Sequence, residues 1–388
     1  MSFEIKADVS RHTRKIVPSR IAWGVASTAF FMLLLPAVRS YFFEFGRRWF
    51  YILLFSSLLS FILTPLMRRL ALKYNVVDAP EERKIHLQNT PLLGGLAIVV
   101  AFSAALIANM ILDRTMILLI CGGLAMAFMS LEDDWREISA APKLLFQVLV
   151  VMILIYNGVI LDVFSPRTLW GYWLDVLLTV LWIVGITNAM NFMDGMDGLA
   201  AGISGIMAFF LGIVASQTQQ PVMGWAAAAV MGSCLGFLPY NFRLDRPASI
   251  FLGDTGSTFL GFTLATLAVI GDWSDDPVVS FSAPLLIFWV LIFDMTYITI
   301  ERVLTGKVKG VKEWIDYVGK DHIHHRMYDL LGDRRKAVFF IYFLCATLGI
   351  SAIALRNART IDGILLVGQA LLITVIVSIL EYSGRNRQ

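Results

Sequence analysis

Twelve apolar runs fill most of this chain, near residues 21–38, 50–66, 92–112, 116–131, 144–160, 173–190, 199–215, 222–238, 256–271, 282–300, 337–355 and 363–381. A bilayer core about 30 Å thick is crossed by a helix of about 20 predominantly apolar residues, which satisfies its own backbone N–H and C=O groups. Runs of that length, so closely spaced, leave no room for a soluble domain. They predict an all-α polytopic membrane protein with about 12 transmembrane helices. Composition agrees: the chain is 57% hydrophobic and 16% charged, whereas soluble domains are roughly 25% charged. The net charge of +3 is too small to imply a nucleic-acid partner, so the partner read from composition is the lipid bilayer. Cys121, Cys234 and Cys345 sit inside apolar runs without CxxC spacing and read as small apolar residues, not as a disulfide framework. No internal repeat is visible.

The basic residues Lys6, Arg11, Arg14, Lys15 and Arg20 precede the run IAWGVASTAFFMLLLPAV, which a signal peptide would also show. That run has 18 residues, longer than the usual ~7–15 of a signal h-region, and no A-x-A site follows it. The reading is a retained signal-anchor helix. Residues 1–49 then form a basic N-terminus with an extra helix, and 50–388 a transmembrane domain.

Lys and Arg placement orients the bundle. With the N-terminus inside, 25 of the 32 basic residues fall in the N-terminus, the even-numbered loops and the C-terminal tail. Only Arg39, Arg47, Arg48, Arg114, Arg167, Arg356 and Arg359 fall outside. Both ends are therefore expected in the cytoplasm. The same sorting collects every unusual polar cluster on the inner face: RKIHLQNTPLLGG, EDDWREISAAPK, NFMDGMDG, PYNFRLDRPASIFLGDT and KDHIHHR.

Ionisable groups beside spanning segments are costly and usually functional. The acidic ones here are Asp133, Asp134, Asp194, Asp197, Asp254 and, inside the tenth run, Asp294. Adjacent Asp133 and Asp134 repel, so they need a cation or a raised pKa. Carboxylates converging with the amides of Asn188 and Asn191 favour a hard, oxygen-loving ion, Mg²⁺ or Mn²⁺, over zinc. Gly195 and Gly198 are expected to end the helix there. A calcium loop is disfavoured because DGMDG lacks the later ligands and the bidentate Glu. A zinc site at HIHH is disfavoured because no thiols or matching spacing accompany it. Arg83, Lys84, His86, Lys143, Arg302, His322, His324 and His325 share this face and suit a phosphate site. Glycine-rich helix starts at Gly94–Gly95 and Gly253–Gly256 are natural anion acceptors.

Six motifs in order, RKIHxxxxPxxGG (83–95), LEDDW (131–135), Lys143 with Gln147, NxxNxxDGxDGLAxG (188–202), FLGDTGS (251–257) and HIHH (322–325), resemble the polyprenyl-phosphate N-acetylhexosamine-1-phosphate transferases. The resemblance runs from about residue 50 to the end and is closest to the WecA-like branch. The MraY branch is similar but usually has three consecutive histidines at HIHH. The resemblance implies an 11-helix core plus one extra N-terminal helix. It further implies attack of undecaprenyl phosphate on a UDP-N-acetylhexosamine, most simply UDP-GlcNAc, at the cytoplasmic face of a bacterial inner membrane. UMP is released, and Mg²⁺ is required. By resemblance Asp254 binds the metal together with Asp133, and Asp133 and Asp134 serve the lipid phosphate and proton removal. Asn188, Asn191, Asp194 and Asp197 shape the nucleotide site and Phe251 stacks on uracil. Lys143 and His324 contact phosphate or sugar, with His86, Arg302, His322 and His325 as further substrate contacts. Oligomeric state is left open, a homodimer among the options.

Three features depart from the family pattern: the helix at 21–38, a longer stretch from Arg302 to His322, and VGKD in place of PDR before HIHH. The last two lie by the expected sugar loop, so other UDP-sugars, including the MurNAc-pentapeptide derivative, UDP-GalNAc and UDP-QuiNAc, stay open. A secondary transporter is the competing class. It would place its site near the midplane between repeats, whereas these carboxylates sit at one edge.

Overall fold

The computed structural model describes residues 20–78, 90–136, 138–164, 168–310, 313–314, 317, 319, 321–355 and 358–385. The predicted Arg83, Lys84 and His86 lie outside the described residues. In chain order the helices are α1 (Arg20–Leu33), α2 (Pro36–Glu44), α3 (Arg48–Tyr74), α4 (Gly94–Ala108), α5 (Arg114–Trp135) and α6 (Ala140–Tyr156). They continue with α7 (Leu169–Phe192), α8 (Leu199–Gln217), α9 (Pro221–Asn241), α10 (Gly253–Ile270), α11 (Pro277–Ile287) and α12 (Trp289–Leu304). The last three are α13 (Ile323–Leu331), α14 (Arg334–Ala354) and α15 (Thr360–Arg385). Between α3 and α4 the short strands β1 (Val77–Asp78) and β2 (Thr90–Pro91) pair antiparallel, Val77 opposite Pro91.

Every one of the twelve apolar runs is helical. Among the described residues, seven helices are long and apolar enough to cross a membrane alone, or up to nine if each of two bent pairs is one span. The pairs depart from the expectation of one helix for each run. The first run breaks into α1 and α2, bent by 72°, where Pro36 at a helix start cannot continue the preceding ladder. The tenth run breaks at Phe288 into α11 and α12, bent by 79°, with Pro284 one turn before the break.

The core is organised round α10, in which every residue from Thr255 to Val269 is buried. It packs between α5 and α7, while α9 packs on α3 and α8. The N-terminal pair is seated on α3: Trp23 donates to the Ile62 carbonyl at 3.2 Å, Tyr51 donates to the Leu33 carbonyl at 3.0 Å, and Phe30 meets Phe55.

Contacts between helix ends gather the motifs at one end of the bundle. Gly94 N–H donates to the Phe251 carbonyl at 3.0 Å and Gly95 N–H to that of Leu252 at 2.7 Å. The glycine-rich start of α4 is thus occupied by backbone carbonyls of the FLGD segment rather than open to an anion. Arg68 donates to the Ser249 carbonyl at 3.0 Å, and Gly198 N–H donates to Asn241 Oδ1 at 2.8 Å.

Candidate active site

Asp133 and Asp134 form the last turn of α5, and their side chains have separate destinations. Asp133 accepts the Ile138 N–H at 2.7 Å and the Lys143 ammonium at 2.6 Å. Lys143, at the start of α6, also lies 4.0 Å from Asp254 Oδ2. The Asp133 and Asp254 carboxyls are themselves within hydrogen-bond reach of each other. The Asp133 side chain is 7% exposed and that of Asp254 42%, so Asp254 is the member of the pair open to a ligand.

Asp134 turns instead to the N-terminus of α10. It accepts the N–H of Asp254 at 2.9 Å, the N–H of Thr255 at 3.1 Å and the Thr255 hydroxyl at 2.6 Å. Gly253 makes this possible: its φ is +74°, and a Cβ there would stand 2.4 Å from the Leu92 carbonyl and 3.0 Å from the Asp134 carboxylate.

The NAMNFMDGMDG stretch closes the opposite wall. At the end of α7, Asn188 exchanges hydrogen bonds with Gln147 of α6, at 2.6 Å and 3.4 Å. Asn191 donates to Ser257 of α10 at 3.0 Å. The two asparagines hold α7 against its neighbours. Asp197 accepts the Ala248 N–H at 2.8 Å, and Tyr342 donates to the Gly198 carbonyl at 2.6 Å. Asp194, in the turn after α7, faces the same group of carboxylates. Burial first, then the charges of Asp254, Asp134 and Asp197, push its carboxyl well above the ordinary range, opposed by a hydrogen bond from Gly253 N–H.

His324 reaches this turn from α13. It is 1% exposed, and neither ring nitrogen has a hydrogen-bond partner among the described residues. A Cβ on Gly195 would stand 2.3 Å from its Nε2, so the ring rests directly on the DGMDG backbone. Burial, then the charges of His325, His322 and Arg326, hold its pKa well below the ordinary histidine value. It is a neutral imidazole facing the site.

The other predicted basic contacts have partners within the protein. His322 Nδ1 lies 2.8 Å from Asp294 Oδ2, and its ring stacks on Phe192 at 5.1 Å. His325 packs on His324 with ring centroids 4.2 Å apart. Arg302 makes a two-pronged pair with Asp321 at 2.8 and 2.7 Å and lies over Tyr317. Asp294 does not join the Asp133–Asp254 group: it accepts the Ile323 N–H at 2.7 Å and Arg326 at 3.3 Å. Arg326 is also paired with Glu381 of α15 at 3.0 Å and lies over Tyr297. Sequence reasoning missed Arg326 and Glu381. The available signal was a carboxylate inside the last apolar run. Phe251 is partly buried, its N–H donating to the Pro91 carbonyl at 2.8 Å.

Among the described residues no three His, Cys, Asp or Glu side chains converge as a ready-made metal cage. Asp133 and Asp254 do place two hard oxygen donors side by side. That donor set fits Mg²⁺, which is commonly bound through one or two carboxylates with the remaining positions left to water and substrate phosphates. Beside α7, an open groove of about 460 Å³ runs along α11 and α12, lined by apolar side chains such as Leu181, Trp182, Ile186, Met295 and Ile300. Ala189, also in its lining, lies one residue beyond Asn188 on α7.

Residues 115–272 match the family described as "Glycosyl transferase family 4", a span that carries all of the carboxylates of the cluster. The chain is 36% identical over 308 residues to the probable undecaprenyl-phosphate N-acetylglucosaminyl 1-phosphate transferase of Bacillus subtilis, covering 78% of this chain and 84% of that protein. The chain belongs to glycosyl transferase family 4. Further similarity to this family extends to the decaprenyl-phosphate N-acetylglucosaminephosphotransferase of Mycolicibacterium smegmatis, 30% identical over 372 residues, or 85% of this chain and 88% of that one. It also reaches the phospho-N-acetylmuramoyl-pentapeptide-transferase of Heliobacterium modesticaldum, 33% identical over 225 residues, or 54% of this chain and 69% of that one.

Proposed function

We propose that this glycosyl transferase family 4 protein transfers N-acetylglucosamine 1-phosphate from UDP-GlcNAc to undecaprenyl phosphate. An oxygen of the lipid phosphate forms a bond to the β-phosphorus of the UDP-sugar, the bond to the bridging oxygen breaks, and UMP leaves. The observation that carries this reading is the group formed by Asp133, Lys143 and Asp254. It sets an ammonium and two carboxylates, groups suited to a phosphate and a divalent ion, at one point of the bundle end.

Phosphoryl transfer is mostly positioning and charge neutralisation. Lys143 carries a positive charge toward the oxygens of the transferred phosphoryl group. Asp254 and Asp133 would hold Mg²⁺, which when bound supplies further neutralisation of the diphosphate. His324, neutral and enclosed, is a hydrogen-bond donor for a phosphate or sugar oxygen rather than a fixed cation. Asp134 holds Asp254 in position. Asn188, Asn191, Asp194 and Asp197 shape the nucleotide side, with Phe251 as the uracil platform. A lipid phosphate is already largely anionic at neutral pH, so direct attack without a strong general base is favoured. The Lys/Arg bias supports a site on the cytoplasmic face of a bacterial inner membrane, with both terminal segments on that side.

The test is a panel of UDP-sugars with undecaprenyl phosphate and Mg²⁺, read by UMP release. UMP is expected with UDP-GlcNAc. Release only with the MurNAc-pentapeptide derivative would change the sugar, and uptake of a UDP-sugar into liposomes without UMP would remove the transferase reading.

A further inference from the structure

At the end of the bundle opposite the carboxylates, a cavity of about 810 Å³ opens between the starts of α3 and α9 and the end of α8, with Phe43 of α2 on its wall. Its floor is apolar, with Leu53, Ile213 and Met231; its rim is polar, with Arg48, Ser216 and Gln219. Three arginines stand here within ten residues, on the side where the Lys/Arg bias leaves only seven of 32. Arg39 and Arg48 both lie beside the ring of Phe43, at 5.1 and 4.9 Å, and Arg48 also covers Trp225 at 4.0 Å. Arg47 lies over Phe45 and donates to Tyr41 at 3.4 Å.

Their hydrogen bonds go to neutral groups. Arg39 donates to the Ala108 carbonyl at 3.3 Å and Arg48 to that of Asn109. Among the described residues none of the three forms an ion pair, and the buried Nε of Arg48 has no hydrogen-bond partner. Two like charges sharing one ring repel, and among the described residues no acidic side chain pairs with either. An anion would. The space is far larger than a free phosphate requires, and its apolar floor suits acyl chains. A zwitterionic headgroup fits poorly, because its ammonium would meet two arginines and no carboxylate.

We propose that this cavity is a binding site for one anionic glycerophospholipid, its phosphate between Arg48 and Arg39 and its chains over Leu53, Ile213 and Met231. The α1–α2 segment supplies Arg39 and the Phe43 wall, which gives that segment a role separate from the transferase chemistry.

The test is native mass spectrometry of the full chain released from nanodiscs holding equal amounts of phosphatidylglycerol and phosphatidylethanolamine. One phosphatidylglycerol is expected to be retained in preference. The Arg39→Gln/Arg48→Gln variant should lose about 25-fold of that preference, at roughly 1 kcal/mol or fivefold for each arginine near an anionic headgroup. UMP release should stay within about twofold, because neither arginine touches the catalytic group. If that variant does not fold, Met231→Trp, which fills the floor with the arginines intact, must reduce retention. Equal retention of the two lipids, displacement by inorganic phosphate, or unchanged retention in a folded variant would each overturn the proposal.

Discussion

Asp134 on α5 closes the start of the helix that presents Asp254: its Oδ1 accepts the Asp254 N–H at 2.9 Å, and its Oδ2 accepts both the N–H and the hydroxyl of Thr255. The first N–H groups of a helix have no partner within it and attract anions. Here the protein's own carboxylate occupies that place, so the Asp254 side chain, 42% exposed, is left to face a ligand.

Asp134→Asn is therefore expected to act through geometry. Only one of its side-chain atoms could then accept, and Asp254 would shift. A displacement of about 1 Å costs roughly 10²-fold in rate, so kcat for UMP release should fall by about that factor with KM for the UDP-sugar nearly unchanged. A rise in KM at constant kcat would make Asp134 a substrate contact instead.

Removing a charge from the acidic cluster should separate activity from stability. Asp254→Asn is expected to lower UMP release by about 10³-fold or more, the scale of losing one electrostatic group in an active site. Its thermal midpoint in detergent should stay level or rise, because Asp254 adds repulsion to Asp134 and Asp194. Asp133→Asn should raise the Mg²⁺ concentration for half-maximal rate by at least about tenfold. Chelation should stop turnover, and Mn²⁺ should restore it.

Gly195→Ala probes the contact between the DGMDG turn and the histidine segment. The added methyl would come 2.3 Å from His324 Nε2, so the ring has to move. Overpacking of this kind costs about 1–3 kcal/mol, and activity should drop by about one to two orders of magnitude. A fully active, equally stable variant would show that His324 is not held by this turn.

The buried set of Asp294, His322, Arg326 and Glu381 anchors α13 to α12 and α15. Arg326→Leu leaves Asp294 and Glu381 without their common partner. Breaking one side of a buried ion pair costs about 3–5 kcal/mol, to be read as lost thermal stability. Pairing it with Asp294→Asn should cost less than the two single changes together.

His324 also predicts a pH effect on stability. Its folded pKa is well below the ordinary value, while the unfolded chain takes up a proton near pH 6.5. From there down to the folded pKa the unfolded state binds more protons, so stability falls as pH falls. His324→Gln should remove up to about 1.4 kcal/mol per pH unit of that slope between pH 6.5 and 5. An unchanged slope would mean that the ring is charged in the folded protein.

The sequence was legible wherever the signal was local. Length and apolarity are properties of a single run, so each of the twelve runs could be read as a helix. Lys/Arg asymmetry drew together motifs that the structure brings to one end of the bundle. The breaks at Pro36 and Phe288 were harder to read, because proline inside an apolar run is compatible with a kink or a stop. Asp294 looked like one more acidic group on the functional face. Its partners are residues 28 and 32 positions away, His322 and Arg326, and no spacing rule reports a pairing of that kind. Asn188, Asn191 and Arg302 carry the same lesson: each has a polar side chain suited to a ligand and bonds first to another helix or loop.

The enclosure of α10 bears on how the chain enters a bilayer during synthesis. This helix carries hydroxyls at Thr255, Ser257, Thr258, Thr263 and Thr266, and all five are buried against neighbouring helices. Lipid is a poor solvent for it, and α5 and α7 are a good one. Insertion of Gly253–Ile270 should therefore wait for those two neighbours, and a substitution that loosens either would be felt first as a helix left at the translocon.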